Sequence, residues 1–451
     1  MELNKTAVFT NGSVGTLLLK KTLPMVFGMA AMVLFNLVDT FFVGRLGVKQ
    51  LAALGFTFPV ILFVGSVAIG LGIGTSTVVS KAIGRKDSHK TRELTTYSLF
   101  LSLLVVSILV FIGQITINPL FRVLGAEPEL IPLIRQYMSI WYYGVIFVIV
   151  PMVGNNAIRA KGDTFTPSVI MMSAVLINGV LDYFLIFGIG IFPRLGLKGA
   201  AIATVCARAV TFLMALGVLY YRDKMLGIEG FTFRGMVDSW MKILYVGIPA
   251  ASARMLVPAG IGVVIRIISL YGKEAVAAFG IAGKIEFFAL SSVVALSIVC
   301  GPFVGQNWAA KLYERVRLGL RYSDRFSFFL GAGVFIFFAL FGRIISSLFS
   351  SNPEVIRNTY LYLMIVPLSY GLRGVSFISN NFLNVLNHPF QAAFLIFIQL
   401  FVFYIPLSYI GSCLWGIPGI FMGIFLSYCL GGVLFYAFLN RVISILLPDS
   451  I

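Results

Sequence analysis

Asp39 stands in the run LPMVFGMAAMVLFNLVDTFFVGRLG, which begins at Leu23 and stays apolar for more than a dozen residues before the carboxylate. A charged side chain at the centre of a bilayer costs about 2.5–3.5 kcal/mol on insertion scales. A carboxylate survives there when it faces a partner or a water-filled cavity, and it then marks the path of a proton, an ion or a cation-bearing solute. A second acid, Asp182, lies in INGVLDYFLIFG, with Asn178 four residues before it and so on the same helix face. Thr204, early in the next apolar run, falls at similar depth. These four residues are expected to form one oxygen-rich pocket. Two close carboxylates in low dielectric cannot both ionise cheaply, which suits a proton carrier. Carboxylate, amide and hydroxyl oxygens equally suit a hard cation such as Na⁺.

The elements that carry these residues follow from composition. The 451 residues are 59% hydrophobic and 11% charged, against about 45–50% and 25% in a soluble domain. Twelve apolar spans are expected, near 17–45, 51–80, 94–118, 132–158, 166–191, 199–221, 243–271, 276–305, 326–350, 357–383, 390–411 and 418–446. Each is long enough to cross a core about 30 Å thick as a helix. The fold class is therefore an all-α polytopic membrane protein.

The net charge of +17 would suggest nucleic acid in a soluble protein. Here twenty Lys and Arg fall on the N-terminus, the even-numbered connections and the C-terminus, and nine on the odd-numbered connections. The positive-inside rule then puts both termini in the cytoplasm, in the cell inner membrane, with no nucleic-acid partner. Contact with anionic lipid headgroups is a minor reading. Lys20 and Lys21 precede a span too long for a signal h-region, so the first helix is expected to be retained. Cys206, Cys300, Cys413 and Cys429 lie in apolar spans with no metal-ligand spacing, which reads as free thiols.

Slid along itself by a single fixed offset, the chain matches its own second half without a gap from the first to the tenth helix and more loosely beyond. Pro24 meets Pro249, Gly47 meets Gly272, LAALG at 51–55 meets VAAFG at 276–280, Lys86 meets Lys311 and Asn155-Asn156 meets Asn380-Asn381. The repeat holds six helices, so both copies share one orientation. The expected organisation is an N-terminal lobe at 1–220, a cytoplasmic linker at 221–242 and a C-terminal lobe at 243–451. Repeats of this kind are typical of transporters, with the substrate site between the halves.

The second half does not repeat the acidic pocket: Asp39 aligns with Val264 and Asp182 with Leu407. Its one acid within an expected span is Glu286, while Arg254, Arg266 and Arg373 are basic, as is Arg208 in the first half. Asn36, Asn155, Asn156, Arg254 and Arg373 are candidates for lining a substrate cavity. Pro24 bends the first helix and is a candidate hinge. The 42 Phe and 15 Met serve packing and lipid contact, and a fraction suits a cavity for varied ligands.

With NLVDTFFVGRLG, then LAALG, and NNAIRAKGD at 155–163, the chain resembles the multidrug and toxic-compound extrusion (MATE) transporters, in particular their DinF-like branch, over nearly its whole length. The resemblance implies a V-shaped pair of six-helix bundles and export of cationic or amphipathic compounds driven by H⁺ or Na⁺ entry. It places the N-lobe coupling site at Asp39, Asn178 and Asp182, with Thr204, and the family's first-helix proline at Pro24. A fourth-helix asparagine of the family corresponds to Asn155 or Asn156. One branch carries acids in helices seven and ten; Arg254, Arg266 and Arg373 stand there instead, which shifts the weight to the N-lobe.

The reading is an inner-membrane, H⁺-coupled multidrug antiporter working by alternating access, monomeric and without cofactor. Two alternatives keep the fold: Na⁺-coupled drug efflux, and a flippase or exporter of a lipid-linked or anionic amphipathic substrate. An enzyme is not expected, because His89 and His388 lie in connections without HExxH, a nucleophile elbow or a metal-ligand cluster.

Overall fold

Spans that cross hydrocarbon must satisfy their backbone polar groups internally, and helices do so within one segment. The computed structural model describes residues 7–190, 192–227 and 231–446, and within the helices it leaves out the side chains of 32, 33, 36, 37, 40, 41, 48 and 51. The Asn36 side chain is therefore outside the described residues. Among the described residues there is no strand.

The helices are α1 (Val14–Gly44), α2 (Val48–Gly84), α3 (Ser88–Val123), α4 (Ile131–Lys161), α5 (Phe165–Phe187), α6 (Leu197–Arg222), α7 (Phe233–Tyr271), α8 (Lys273–Ala309), α9 (Tyr313–Phe349) and α10 (Pro353–Val385). The last helical segment, Pro389–Leu446, runs for 58 residues. A straight helix of that length would span about 87 Å, far more than one crossing needs. Gly416, at φ 63° and ψ −136°, breaks it. Beyond the break the chain folds back. A Cβ on Gly411 or Gly419 would strike the other's carbonyl, one on Gly423 would strike Leu407, and one on Gly431 would strike Gln399. These three pairs share one antiparallel register, so α11 (389–415) and α12 (417–446) form a tight hairpin. Among the described residues, eleven continuous apolar segments thus give the twelve crossings expected from the sequence.

Two compact units divide the chain: Pro24–Ala251 with the start of the chain, and Phe9–Leu23 with Ser252–Ile451. The expected lobes map onto them except at their first helices, because the divisions fall inside α1, at Pro24, and inside α7, just after Pro249. The expected linker 221–242 is helical from Phe233. Its earlier part is fastened to α3: Arg92 Nε donates to the Lys224 carbonyl at 2.9 Å and Thr96 exchanges hydrogen bonds with Gly227 at 3.1 Å. In the second unit, Arg315 holds the carbonyls of Phe9, Asn11 and Gly12.

The repeat is visible in the backbone. Left-handed or positive-φ residues are uncommon outside glycine. They recur at positions that the self-match pairs, at Gly47 and Gly272, at Lys86 and Lys311 (both φ 59°), and at Gly162 and Asn387. Asn156 Nδ2 donates to the Met152 carbonyl at 2.8 Å, and its counterpart Asn381 Nδ2 to the Phe377 carbonyl at 3.2 Å.

The NNAIRAKGD run ends α4 and starts α5. Gly162, at φ 101°, closes α4. Asp163 Oδ1 accepts from the Thr166 amide at 3.0 Å and Oδ2 from the Thr166 hydroxyl at 2.6 Å. Arg222 bridges Asp163 and Asp223 at 2.7 and 3.0 Å, and Lys161 reaches Asp223 at 3.0 Å. Burial alone would push the Asp163 carboxyl up, but the bonds from Thr166 and Arg222 outweigh it and hold it below its usual range. A carboxyl depressed in this way stabilises the fold at neutral pH and loses that contribution as pH falls through its folded value.

Asp163→Ala is expected to cost about 1–2 kcal/mol in detergent unfolding at neutral pH, and the gap from the parent should close below the carboxylate range. Gly419→Ala should cost a further roughly 1–3 kcal/mol by separating α11 from α12, read in the same assay.

Candidate functional site

Three helices of the first unit each bring two side chains spaced by four residues to one place: Phe35 and Asp39 from α1, Asn178 and Asp182 from α5, Thr204 and Arg208 from α6. Tyr137, from α4, completes the group. α1 and α5 run side by side, with a Gly28 Cβ position 2.9 Å from the Ser168 hydroxyl and a Gly179 Cβ position 3.4 Å from Val38. Ala31 and Phe35 pack on Ala174 and Val175 to seal one side.

Asn178 and Asp182 are fully buried and Thr204 nearly so, while Asp39 is partly buried. Asp39 acts electrostatically on Asp182 and on Arg208, and both acids act on Tyr137. The Arg208 guanidinium lies 4.3 Å over the Phe35 ring, a cation–π arrangement strengthened by burial. The Tyr137 and Thr204 hydroxyls approach without meeting hydrogen-bond geometry. Among the described residues, one Asp39 oxygen, both Asp182 oxygens, both polar atoms of the Asn178 amide and the Thr204 hydroxyl have no hydrogen-bond partner. Buried polar atoms in native folds are nearly always satisfied, so this concentration marks a place where a proton, an ion or water completes the bonding.

The structure thus brings Asp39, Asn178, Asp182 and Thr204 together, and adds Tyr137 and Arg208. The sequence did carry a signal for Tyr137, since the self-match of the two halves pairs it with Tyr362. Arg208 sits one helical turn after Thr204 on the same face.

Asn156 is engaged elsewhere, donating to its own helix and lying against Gly72 of α2. Asn155 is buried, with its side-chain oxygen unpartnered among the described residues. Pro24 stands at the division between the units, inside a helix that continues through it.

The second unit buries a different charged group. Glu286 of α8 accepts hydrogen bonds from the Tyr362, Tyr370 and Tyr428 hydroxyls, that from Tyr428 at 3.0 Å. Arg373 lies 4.7 Å over the Phe377 ring and 4.4 Å over the Tyr428 ring. A wide π-helical stretch of α11, Ile398–Tyr404, brings Tyr404 to stack on Tyr428 at 6.0 Å. The second unit also holds an acid that the expected span 326–350 had left out. α9 begins at Tyr313, so Asp324 belongs to it, with one oxygen buried and unpartnered.

A scaffold of two six-helix repeats, each with buried charge, belongs to membrane transporters. The family model described as MatE matches residues 24–184 and 249–410, two stretches whose first residues, Pro24 and Pro249, are partners in the repeat. The chain belongs to the MatE family and is a multi-pass membrane transporter, not an enzyme. It is 34% identical over 429 residues to an FAD transporter of Shewanella oneidensis, covering 95% of each chain. It is 29% identical over 343 residues to a probable multidrug resistance protein of Bacillus subtilis, covering 75% of this chain and 74% of the other. The crystal structure of the Vibrio cholerae MATE transporter VcmN in its bent form superposes with a TM-score of 0.91 at 27% identity, covering 96% and 98% of the two chains.

If Asp39 and Arg208 share one field, their substitutions will not add. Arg208→Met leaves two carboxylates with less compensation, and Asp39→Asn in the same chain removes one of them. A double-mutant cycle of thermal stability in detergent is expected to give a coupling of about 0.5–3 kcal/mol, with the double variant more stable than Arg208→Met alone.

Proposed function

We propose that this transporter is a proton-coupled antiporter that exports large amphipathic compounds from the cytoplasm across the cell inner membrane, with both termini cytoplasmic. The observation that carries this reading is the cluster of Asp39, Asp182 and Arg208, with its unpartnered oxygens. Two carboxylates and one guanidinium leave a single negative charge. One bound proton cancels it and lets the protonated carboxyl donate to an oxygen that has no protein partner. Asn178, Thr204 and Tyr137 supply the neighbouring dipoles.

A ligand drives a conformational equilibrium only through different affinities for its two states. In the proposed cycle, proton entry neutralises the cluster, α1 rearranges about Pro24 and the cargo leaves outward. Loss of the proton to the cytoplasm restores the charge and the state that loads cargo. The same oxygens also suit Na⁺, which is the rival coupling ion. Arg208 counts against it, because a fixed guanidinium already supplies positive charge beside Asp39.

Two readings of the cargo remain distinct. Relatives named for multidrug resistance favour cationic and amphipathic drugs. The FAD transporter at 34% identity favours a planar anionic amphipath, and so do Arg254 and Arg373, where an acid would suit a cationic drug. The anionic reading also covers a lipid-linked precursor.

The test uses proteoliposomes loaded with a fluorescent planar dye, first under an imposed pH gradient and then under a Na⁺ gradient. Efflux driven by the pH gradient alone is expected, and Asp39→Asn should reduce it to the passive leak while the protein stays folded. Efflux driven by Na⁺ alone would overturn proton coupling.

A further inference from the structure

Arg254 and Arg373 form no salt bridge among the described residues. They lie within electrostatic reach of one another in the second unit. Two guanidiniums near one another make a local positive field that an anion would offset. The Arg254 side chain is exposed. The Arg373 guanidinium rests on two rings, and its Nε is buried without a partner among the described residues.

The nearby acid does not take up these charges. Glu286 is held instead by three tyrosine hydroxyls from α10 and α12. It acts on Arg373 only through space. The guanidinium therefore keeps hydrogen-bond donors free while its plane stays fixed by Phe377 and Tyr428. A planar fork with free donors matches phosphate and carboxylate oxygens in pairs. The rings beside it offer flat apolar surface, and Tyr404 and Tyr428 already stack nearly parallel, at 14°.

We infer that Arg254 and Arg373 form an anion-binding subsite for the phosphate or diphosphate of a planar aromatic cargo, with Glu286 and its tyrosines positioning Arg373. This rests on the anionic reading of the cargo given above and names the residues that would recognise it. Glu286 is a positioning residue here: its charge opposes the anion, and its tyrosine bonds hold Tyr428 under the guanidinium.

The experiment measures equilibrium binding of FAD to the purified full-length protein in detergent. Riboflavin, which shares the ring system without phosphate, and ethidium, a planar cation, serve as comparison probes, and inorganic pyrophosphate as competitor. FAD should bind more tightly than riboflavin, weaken with added salt and be displaced by pyrophosphate. Arg254→Gln and Arg373→Gln should each weaken FAD binding about tenfold or more and leave riboflavin unchanged, with Arg373→Lys between the two. Glu286→Gln should tighten FAD binding several-fold, a gain that misfolding cannot produce. If the wild type binds FAD and both glutamine variants bind it equally well, the subsite is wrong and the anionic reading stands. If the wild type binds ethidium but neither FAD nor pyrophosphate, the anionic reading fails and the subsite with it.

Discussion

Burying charge inside an apolar helix bundle without enough partners to satisfy it is the constraint on which this structure depends. Each buried carboxylate gives up hydration that the protein must replace. In the first unit the replacement is incomplete. Arg208 supplies one opposite charge, Asn178, Thr204 and Tyr137 supply dipoles, and several oxygens still have no partner among the described residues. A cluster left in this condition is sensitive to one added positive charge, and that sensitivity is what can tie an ion gradient to a change of shape.

The repeat explains how one scaffold came to hold two different charged groups. Helices α2 and α8 begin and end at equivalent positions of the two copies, and the left-handed turns recur in the same correspondence. Tyr137 and Tyr362 occupy equivalent positions, and each stands against a buried acid. The acids themselves do not correspond: Asp39 and Asp182 align with Val264 and Leu407 in the self-match. The first unit keeps carboxylates whose bonding is unfinished. The second keeps Glu286 well bonded, and among the described residues it leaves one Asp324 oxygen without a partner and Arg254 and Arg373 without a salt bridge. This difference divides the labour proposed here, with ion coupling in one unit and cargo recognition in the other.

Much of this was legible in the sequence, for physical reasons that also set its limits. Apolar runs of crossing length reveal helices, and the count of twelve holds because Gly416 turns one long segment into a hairpin. An acid in such a run stands out, so Asp39 and Asp182 were visible, and helical spacing joined Asn178 to Asp182. Tyr137 was not singled out, since one tyrosine among 18 in a chain with 42 phenylalanines carries little signal alone. Glu286 was visible as an acid, but its tyrosines lie 76, 84 and 142 residues away, and no local pattern links them. Asp324 was missed because charges at its end of α9 made the apolar run look shorter than the helix. Asn155 and Asn156 could not be separated by type; only packing against Gly72 and the bond to Met152 distinguish Asn156.

The most direct test of the central claim counts protons. Purified protein in weakly buffered detergent solution is mixed with saturating transported dye, and proton release is followed with a pH indicator. About one proton per protein is expected from the wild type, and none from Asp39→Asn or Asp182→Asn, although both should still bind dye. Unchanged release from both variants would place the coupling proton elsewhere and contradict the account.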